Sequence, residues 1–339
     1  VCSDNRVHGM MRFCGANRTG RWSGNILQPQ NLPQNHLPDL TLARDIVKDG
    51  DFEMLDMMFG NVPNVLSELI RTVLIPKPNR RFIVADFSAI EARVLAWIAG
   101  EQWRIDTFKN GGDIYCASAS KMFKVPVEKH GVNGELRQKG KISELACGYG
   151  GSVGALKNMG AVEMGVPENE LQGLINDWRN ANPHIVRFWY EVGNAAMKAI
   201  KEKTTVPLGK LVFVYERGIL FIRLPSGRRL SYIKPRIGTN RFGGDSITYM
   251  GINSAKKWDR LETFGGKLTE NIVQGTARDL LANALINAAN AGYDTVFHVH
   301  DEIICEVPNG YGSVDELCRL MCIKPDWADG LPLNADGFE

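Results

Sequence analysis

The sequence predicts an α+β fold, and three observations point to it. Apolar residues recur at helical spacing through most of residues 102–193. A block at 204–249 instead alternates apolar and polar side chains between Gly and Pro punctuation, the pattern of hairpins. Two short apolar runs, residues 81–86 and 295–307, read as buried strands, and each carries an aspartate where an apolar residue would be expected.

Taken in order, residues 1–40 are rich in Arg, Asn, Gly and Gln and read as loop with short strands. Residues 44–71 carry helical spacing (Ile46, Phe52, Leu55, Met58, then Val65, Leu66, Leu69, Ile70) interrupted at Pro63, which predicts a helix pair. The run 81–86 is a strand with Asp86 at its C-terminal end. Ser88 is placed to cap a helix over 89–98 that stops at Gly100. The helical stretch 102–193 turns at Gly111–Gly112, Gly131–Gly134, Gly148–Gly151 and Pro183, and includes a helix around 135–147. After the hairpin block, a helix over 270–291 closes at Gly292, and two β-rich runs flank His300 and Asp301. Internal repeats and low-complexity tracts are absent from the sequence.

Composition narrows the class. At 339 residues with 44% hydrophobic and 23% charged, the chain can bury a sizeable core, which excludes wholesale disorder. Forty Lys and Arg against 38 Asp and Glu leave a net charge of +2, so a nucleic-acid surface has to be local. Residues 203–241 are such a region, with nine Lys or Arg, Arg228 and Arg229 among them, against Glu216 alone. Phosphate-backbone contact is the natural use of that patch. No uncharged apolar run of about 18 residues occurs and the start lacks a signal-peptide pattern, so a soluble cytoplasmic protein without membrane contact is expected. Seven scattered Cys without a CxxC pair read as reduced thiols. Val1 in place of an initiator Met suggests a piece of something longer.

Asp86 and Asp301 sit among apolar β-formers, an awkward place for charge unless a cation compensates it. On adjacent strands they would make a site for paired Mg²⁺ in phosphoryl transfer. Taken alone, a strand-end aspartate is more often a cap or turn residue. On the helix around 135–147, Arg137, Lys141 and Leu145 share one face, and Tyr149 follows just beyond its end. Two stacked cations suit a triphosphate, although on their own they more often mark a solvated helix face.

Together these elements resemble the family A DNA polymerases of bacteria and phages. Motif A is read in Asp86-Phe87-Ser88-Ala89-Ile90-Glu91-Ala92-Arg93, motif B in Arg137-x3-Lys141-x3-Leu145-x3-Tyr149-Gly150, and motif C in His300-Asp301-Glu302. Thr19-Gly20-Arg21 with Gln28-Pro29-Gln30-Asn31-Leu32-Pro33 is similar to the primer-template motif, and Gln274-Gly275-Thr276-Ala277 to the QGTA signature. The motifs follow the family's order.

The resemblance implies a right-hand palm, an antiparallel sheet backed by helices, at 1–98 and 266–339. An inserted, mainly helical fingers domain fills 99–265. It implies two Mg²⁺ held by Asp86, Asp301, the Phe87 carbonyl and Glu302, with Asp86, Asp301 and Lys141 catalytic. Arg137 and Lys141 would bind the dNTP triphosphate, Leu145 would pack on the nucleotide, and Glu91 with Tyr149 would crowd the sugar 2′ position. Arg21, Gln30, Asn31, Gln274 and His300 would touch primer-template DNA, with Arg21 and Gln274 in the minor groove. Departures are Leu145 for the usual aromatic, Ala146 for Gly, and Ala89 for Gln or His. In the family a thumb and a 3′–5′ exonuclease precede the palm, so the expectation is the C-terminal polymerase half of a longer viral or bacterial protein, without proofreading of its own. The processivity factor is unknown.

Three other readings remain in view. His298-Val299-His300-Asp301 is similar to the ligand runs of metal-dependent hydrolases, although none of the other four His forms such a pair. A single-subunit RNA polymerase of related fold is discriminated by Glu91, where a 2′-hydroxyl would collide. A non-catalytic DNA-binding module is opposed by intact Asp86, Asp301, Arg137 and Lys141.

Overall fold

The computed structural model describes residues 2–26, 28–33, 35–240 and 243–339, with Pro29 described by its backbone only. Arg241, one of the cations of the basic block, lies outside the described residues.

Near the start, β1 (Met11–Arg12) and β2 (Ser23–Gly24) pair antiparallel. Next come α1 (Leu40–Asp49), α2 (Phe52–Phe59) and α3 (Val62–Leu69), around a small core of Ala43, Ile46, Leu55, Val65 and Leu69. These are three helices where the sequence predicts two. Asp39, Asp51 and Asn61 each accept a backbone N–H of the first turn, and Pro63 lies within the first two positions of α3, where its missing N–H costs nothing. Proline therefore opens a helix here.

β3 (Arg80–Phe87) leads into α4 (Ile90–Ala99). Ser88 does not cap this helix. The capping position is Ala89, in a left-handed conformation at φ 50° with no side-chain bond, while the Ser88 carbonyl accepts Arg93 Nε at 2.6 Å. The helical stretch resolves into α5 (Gln102–Lys109), α6 (Ile114–Phe123), α7 (Leu136–Cys147), α8 (Val153–Asn158), α9 (Leu171–Ala181) and α10 (Pro183–Glu202).

The hairpin block forms an antiparallel sheet of six strands in sequence order. They are β4 (Thr205–Leu208), β5 (Leu211–Glu216), β6 (Ile219–Arg223), β7 (Arg229–Thr239), β8 (Asp245–Ile252) and β9 (Trp258–Thr263). It runs one strand beyond the predicted limit, because β9 lacks a clean apolar alternation. Leu211, Phe213, Leu220, Ile222, Leu230 and Tyr232 share a core with Val192 and Ala196 of α10.

α11 (Gly265–Asn290) begins five residues before the predicted start, since Gly265 and Gly266 read as a break in the sequence. Their role is close packing. A Cβ on Gly265 would lie 1.9 Å from the Trp189 carbonyl oxygen, so α10 and α11 cross in backbone contact.

β10 (Thr295–Val299), β11 (Glu302–Pro308), α12 (Val314–Met321) and β12 (Ala335–Phe338) complete the chain. β12, with the composition Ala-Asp-Gly-Phe, carries no strand signal. The second sheet has the order β10-β11-β3-β12, antiparallel throughout. Ile83, Ala85 and Phe87 of β3 share the main core with Val273, Leu280 and Leu281 of α11 and Leu317 of α12. The opposite face of β3 is left for Asp86. Among the described residues no helix is long and apolar enough to cross a membrane.

Candidate active site

Directly paired residues on neighbouring strands project to one face of a sheet. Glu302 of β11 pairs with Asp86 of β3, and Asp336 of β12 pairs with Asp86 from the other side. Three carboxylates therefore lie in a row. Asp301 joins them from the β10–β11 turn, where His300 takes a left-handed φ of 51° and the Phe87 N–H donates to the Asp301 carbonyl at 3.3 Å.

Crowding shows in the proton affinities. The Asp86 side chain is still open to solvent, yet partial burial, with the charges of Asp301, Glu302 and Asp336, pushes its pKa up to about 7. Burial also raises the Asp301 carboxyl, opposed by Arg21, and the Glu302 carboxyl, opposed by Arg71. Hard carboxylate oxygens that repel one another are a donor set suited to a divalent ion such as Mg²⁺, which relieves the repulsion. No cluster of three or more metal-ligating side chains is preassembled among the described residues. Phe87 is 1% exposed, with its side chain in the main core.

Beside this row opens a cavity of about 600 Å³, lined by residues from five stretches of the sequence, including Glu91, Leu145, Tyr149, Gln274 and Asp301. Glu91, in the first turn of α4, ties two of these stretches together. The Tyr149 hydroxyl donates to its Oε2 at 2.7 Å, and an Arg21 guanidinium nitrogen donates to its Oε1 at 2.6 Å. Burial, then the Glu91 charge, keeps the Tyr149 phenol well above its ordinary pKa. Leu145 is half exposed on the cavity wall.

On α7, Arg137 is paired with Asp113, its Nε donating at 2.8 Å, and its guanidinium lies 5.2 Å from the centre of the Tyr115 ring. Asp113 also caps α6 by accepting from the Tyr115 and Cys116 N–H groups. Lys141, one turn on, is half-buried and has no ion-pair partner among the described residues. Neither cation borders the cavity.

The remaining predicted residues divide. Asn31 is exposed and its Nδ2 donates to Gln28 at 2.6 Å, while Gln30 Oε1 is buried without a partner. His300 is exposed at the turn. Arg229 is exposed, 5.4 Å from the Phe221 ring and 3.5 Å from Glu216. Arg228 is engaged internally, its Nε donating to Asp279 at 2.6 Å and a terminal nitrogen to the Gly275 carbonyl at 2.8 Å.

Sequence reasoning passed over Asp113, Tyr115 and Asp336. Asp113 had a readable signal, an acid after two glycines at the start of a helical run. Asp336 had none, since the strand that places it is silent in the sequence.

Comparison with known proteins follows the same outline. A sequence model described as DNA polymerase family A matches residues 1–322. The DNA polymerase of Bacillus phage SP02 is 54% identical over 340 residues, covering 100% of this chain and 52% of the phage protein. The thermostable DNA polymerase I of Thermus aquaticus is 27% identical over 265 residues, 76% of this chain and 27% of that enzyme. The chain thus spans about half the length, or less, of the curated relatives it matches. Among solved structures, the POL domain of Pol1 from M. smegmatis, in complex with DNA primer-template and dNTP, superposes with a TM-score of 0.63 at 21% identity. That match covers 99% of this chain and 48% of the other, and shows a shared fold.

Proposed function

The chain belongs to DNA polymerase family A, and on that premise we propose that it is a DNA-directed DNA polymerase, transferring a nucleotide from a dNTP to the 3′-hydroxyl of a primer paired to a template. One observation carries the reading: a single cavity is bordered by Glu91, Leu145, Tyr149, Gln274 and Asp301, which the sequence holds far apart. The setting is phage or bacterial DNA replication, in keeping with the relatives matched.

In this reading the four-stranded sheet and its helices, 1–98 and 266–339, act as palm, and 99–265 as fingers. Asp86 and Asp301, with the Phe87 carbonyl and Glu302, would hold two Mg²⁺. When bound, such ions activate the 3′-hydroxyl and stabilise charge on the departing pyrophosphate. The protein's own part is positioning. Arg137 exchanges Asp113 for a phosphate, Lys141 donates a proton to pyrophosphate as general acid, and Leu145 packs on the nucleotide. Glu91, held by Arg21 and Tyr149, occupies the space a 2′-hydroxyl would need. Gln274 and Arg21 face the minor groove of the nascent pair, and Gln30, Asn31, His300 and Arg229 lie along primer and template.

Primer extension tests this, with the chain as it stands and within the longest polypeptide in which it is encoded. Wild type should extend with dNTPs in Mg²⁺, and Asp301→Ala should not. Extension that survives in the variant would refute the metal assignment. A preference for NTPs would refute the Glu91 gate and favour an RNA polymerase.

A further inference from the structure

The geometry points to Arg104 and Glu144 as a positioning pair: a buried ion pair that fixes the rotation of α7, and so sets where Leu145 meets the cavity and where Arg137 and Lys141 stand along the same helix. This rests on the polymerase reading and adds to it a determinant of nucleotide affinity at two residues to which the motifs assign no role.

Glu144 is the residue before Leu145, on the same flank of α7 as Arg137 and Lys141, at separations of seven and three. Its side chain is 5% exposed and that of Arg104 is 1% exposed. Both oxygens are engaged. Arg104 donates to each, at 2.7 Å to Oε1 and through a second nitrogen to Oε2, while Ser118 Oγ and Trp178 Nε1 donate to Oε1 at 2.7 and 2.8 Å. Arg104 donates in addition to Asn182 Oδ1 at 3.0 Å, and Asn182 donates to the Trp178 carbonyl at 2.8 Å. Donors from α5, α6 and α9 thus converge on one carboxylate of α7, and both members of the pair line the cavity wall.

Stability alone is a poor explanation for this arrangement. Buried ion pairs are commonly no better than well-packed apolar residues of the same volume, and Arg104 Nε is left buried without a partner. What a bidentate pair supplies is direction. Side-chain tips lie about 5–6 Å from a helix axis, so a rotation of about 15° moves them by about 1.5 Å, enough to misplace reacting groups.

The test compares wild type with R104M/E144L, R104K and E144Q. R104M/E144L is expected to melt at or above the wild-type temperature and to bind primer-template equally well, with a KM for dNTP about tenfold higher per titrated active site. R104K, which keeps the charge without the fork, should fall between. A wild-type KM in R104M/E144L overturns the proposal. If that variant fails to fold, E144Q carries the same reading, and an unchanged KM there overturns it equally. If wild type neither extends primers nor binds dNTP, the polymerase reading fails, and the pair is then judged by hydrogen exchange. Faster exchange confined to α7 in E144Q supports it, and unchanged exchange of α7 overturns it.

Discussion

Replacing His298 by leucine should flatten the acid limb of the protein's stability curve. His298 sits on β10, 7% exposed, with its ring 4.7 Å from that of Trp22 in an edge-on contact, and Arg278 is stacked on the same Trp22 at 4.4 Å. Burial, then the Arg278 charge, lowers the His298 pKa from 6.5 to about 4. A histidine depressed in this way is neutral in the folded protein and gains its proton on unfolding. Its contribution is intact above pH 6.5 and is lost as pH falls towards 4. With those two values, linkage gives a loss of about 2 kcal/mol at pH 5 and about 3 kcal/mol at pH 3. The assay is urea unfolding at a series of pH values in both proteins. Because other carboxylates titrate in the same range, the quantity to compare is the difference between the two curves. That difference should change by about 3 kcal/mol between pH 7 and pH 3, with wild type losing ground. A difference independent of pH would refute the argument and mean that the ring is hydrated or carries its proton in the fold.

Other predictions concern the carboxylate row, the basic block and α7. The folded pKa of Asp86, about 7, lies above its ordinary 3.8, so its ionisation opposes folding as pH rises through that window. Asp86→Asn should therefore raise the urea midpoint at pH 8 without divalent ions, and Mg²⁺ should reverse the order by stabilising only wild type. Arg228→Ala should cost about 2–3 kcal/mol, because it strips the main partner from buried Asp279, while leaving the salt dependence of DNA binding unchanged. Arg229→Ala, at an exposed cation, should instead leave stability alone and lower the salt slope by about 1, measured by titration at several ionic strengths. Gly140→Ala would bring a Cβ to 2.3 Å from the Tyr115 carbonyl where α7 packs on α6, and should lower stability by about 1–3 kcal/mol in thermal unfolding.

The strand bearing Asp86 and the hairpin bearing Asp301 were legible in the sequence because an acid within an apolar β-run stands out against its neighbours. The face shared by Arg137, Lys141 and Leu145 followed from helical spacing alone. That Glu91 belongs with Tyr149 came from resemblance, since nothing local ties residues so far apart. The same limit hid Asp113 beside Arg137 and Arg104 beneath Glu144: each pairing is made by packing of separate helices, so Asp113 reads locally as a helix cap and Glu144 as an ordinary surface residue. Ser88 was misjudged as a cap for a related reason. The chain turns through Ala89 in a left-handed conformation that alanine does not favour, and the tertiary structure imposes it. β12 shows how far context can override propensity, for the exposed edge of β3 recruits a segment with little intrinsic preference for a strand.

The register of β3 also sets an order of assembly. Helices between residues 102 and 202 close over short sequence distances and can form while the chain is still emerging from the ribosome. The pairing of β3 with β11 and β12 comes later, since it joins residues 80–87 to residues 302–308 and 335–338 and must bear the entropy of closing that loop. Asp86 meets Glu302 and Asp336 only once synthesis has passed β12. The acidic centre therefore forms after the helices between residues 102 and 202, and a nascent chain can hold much of that helical structure before Asp86 has its neighbours.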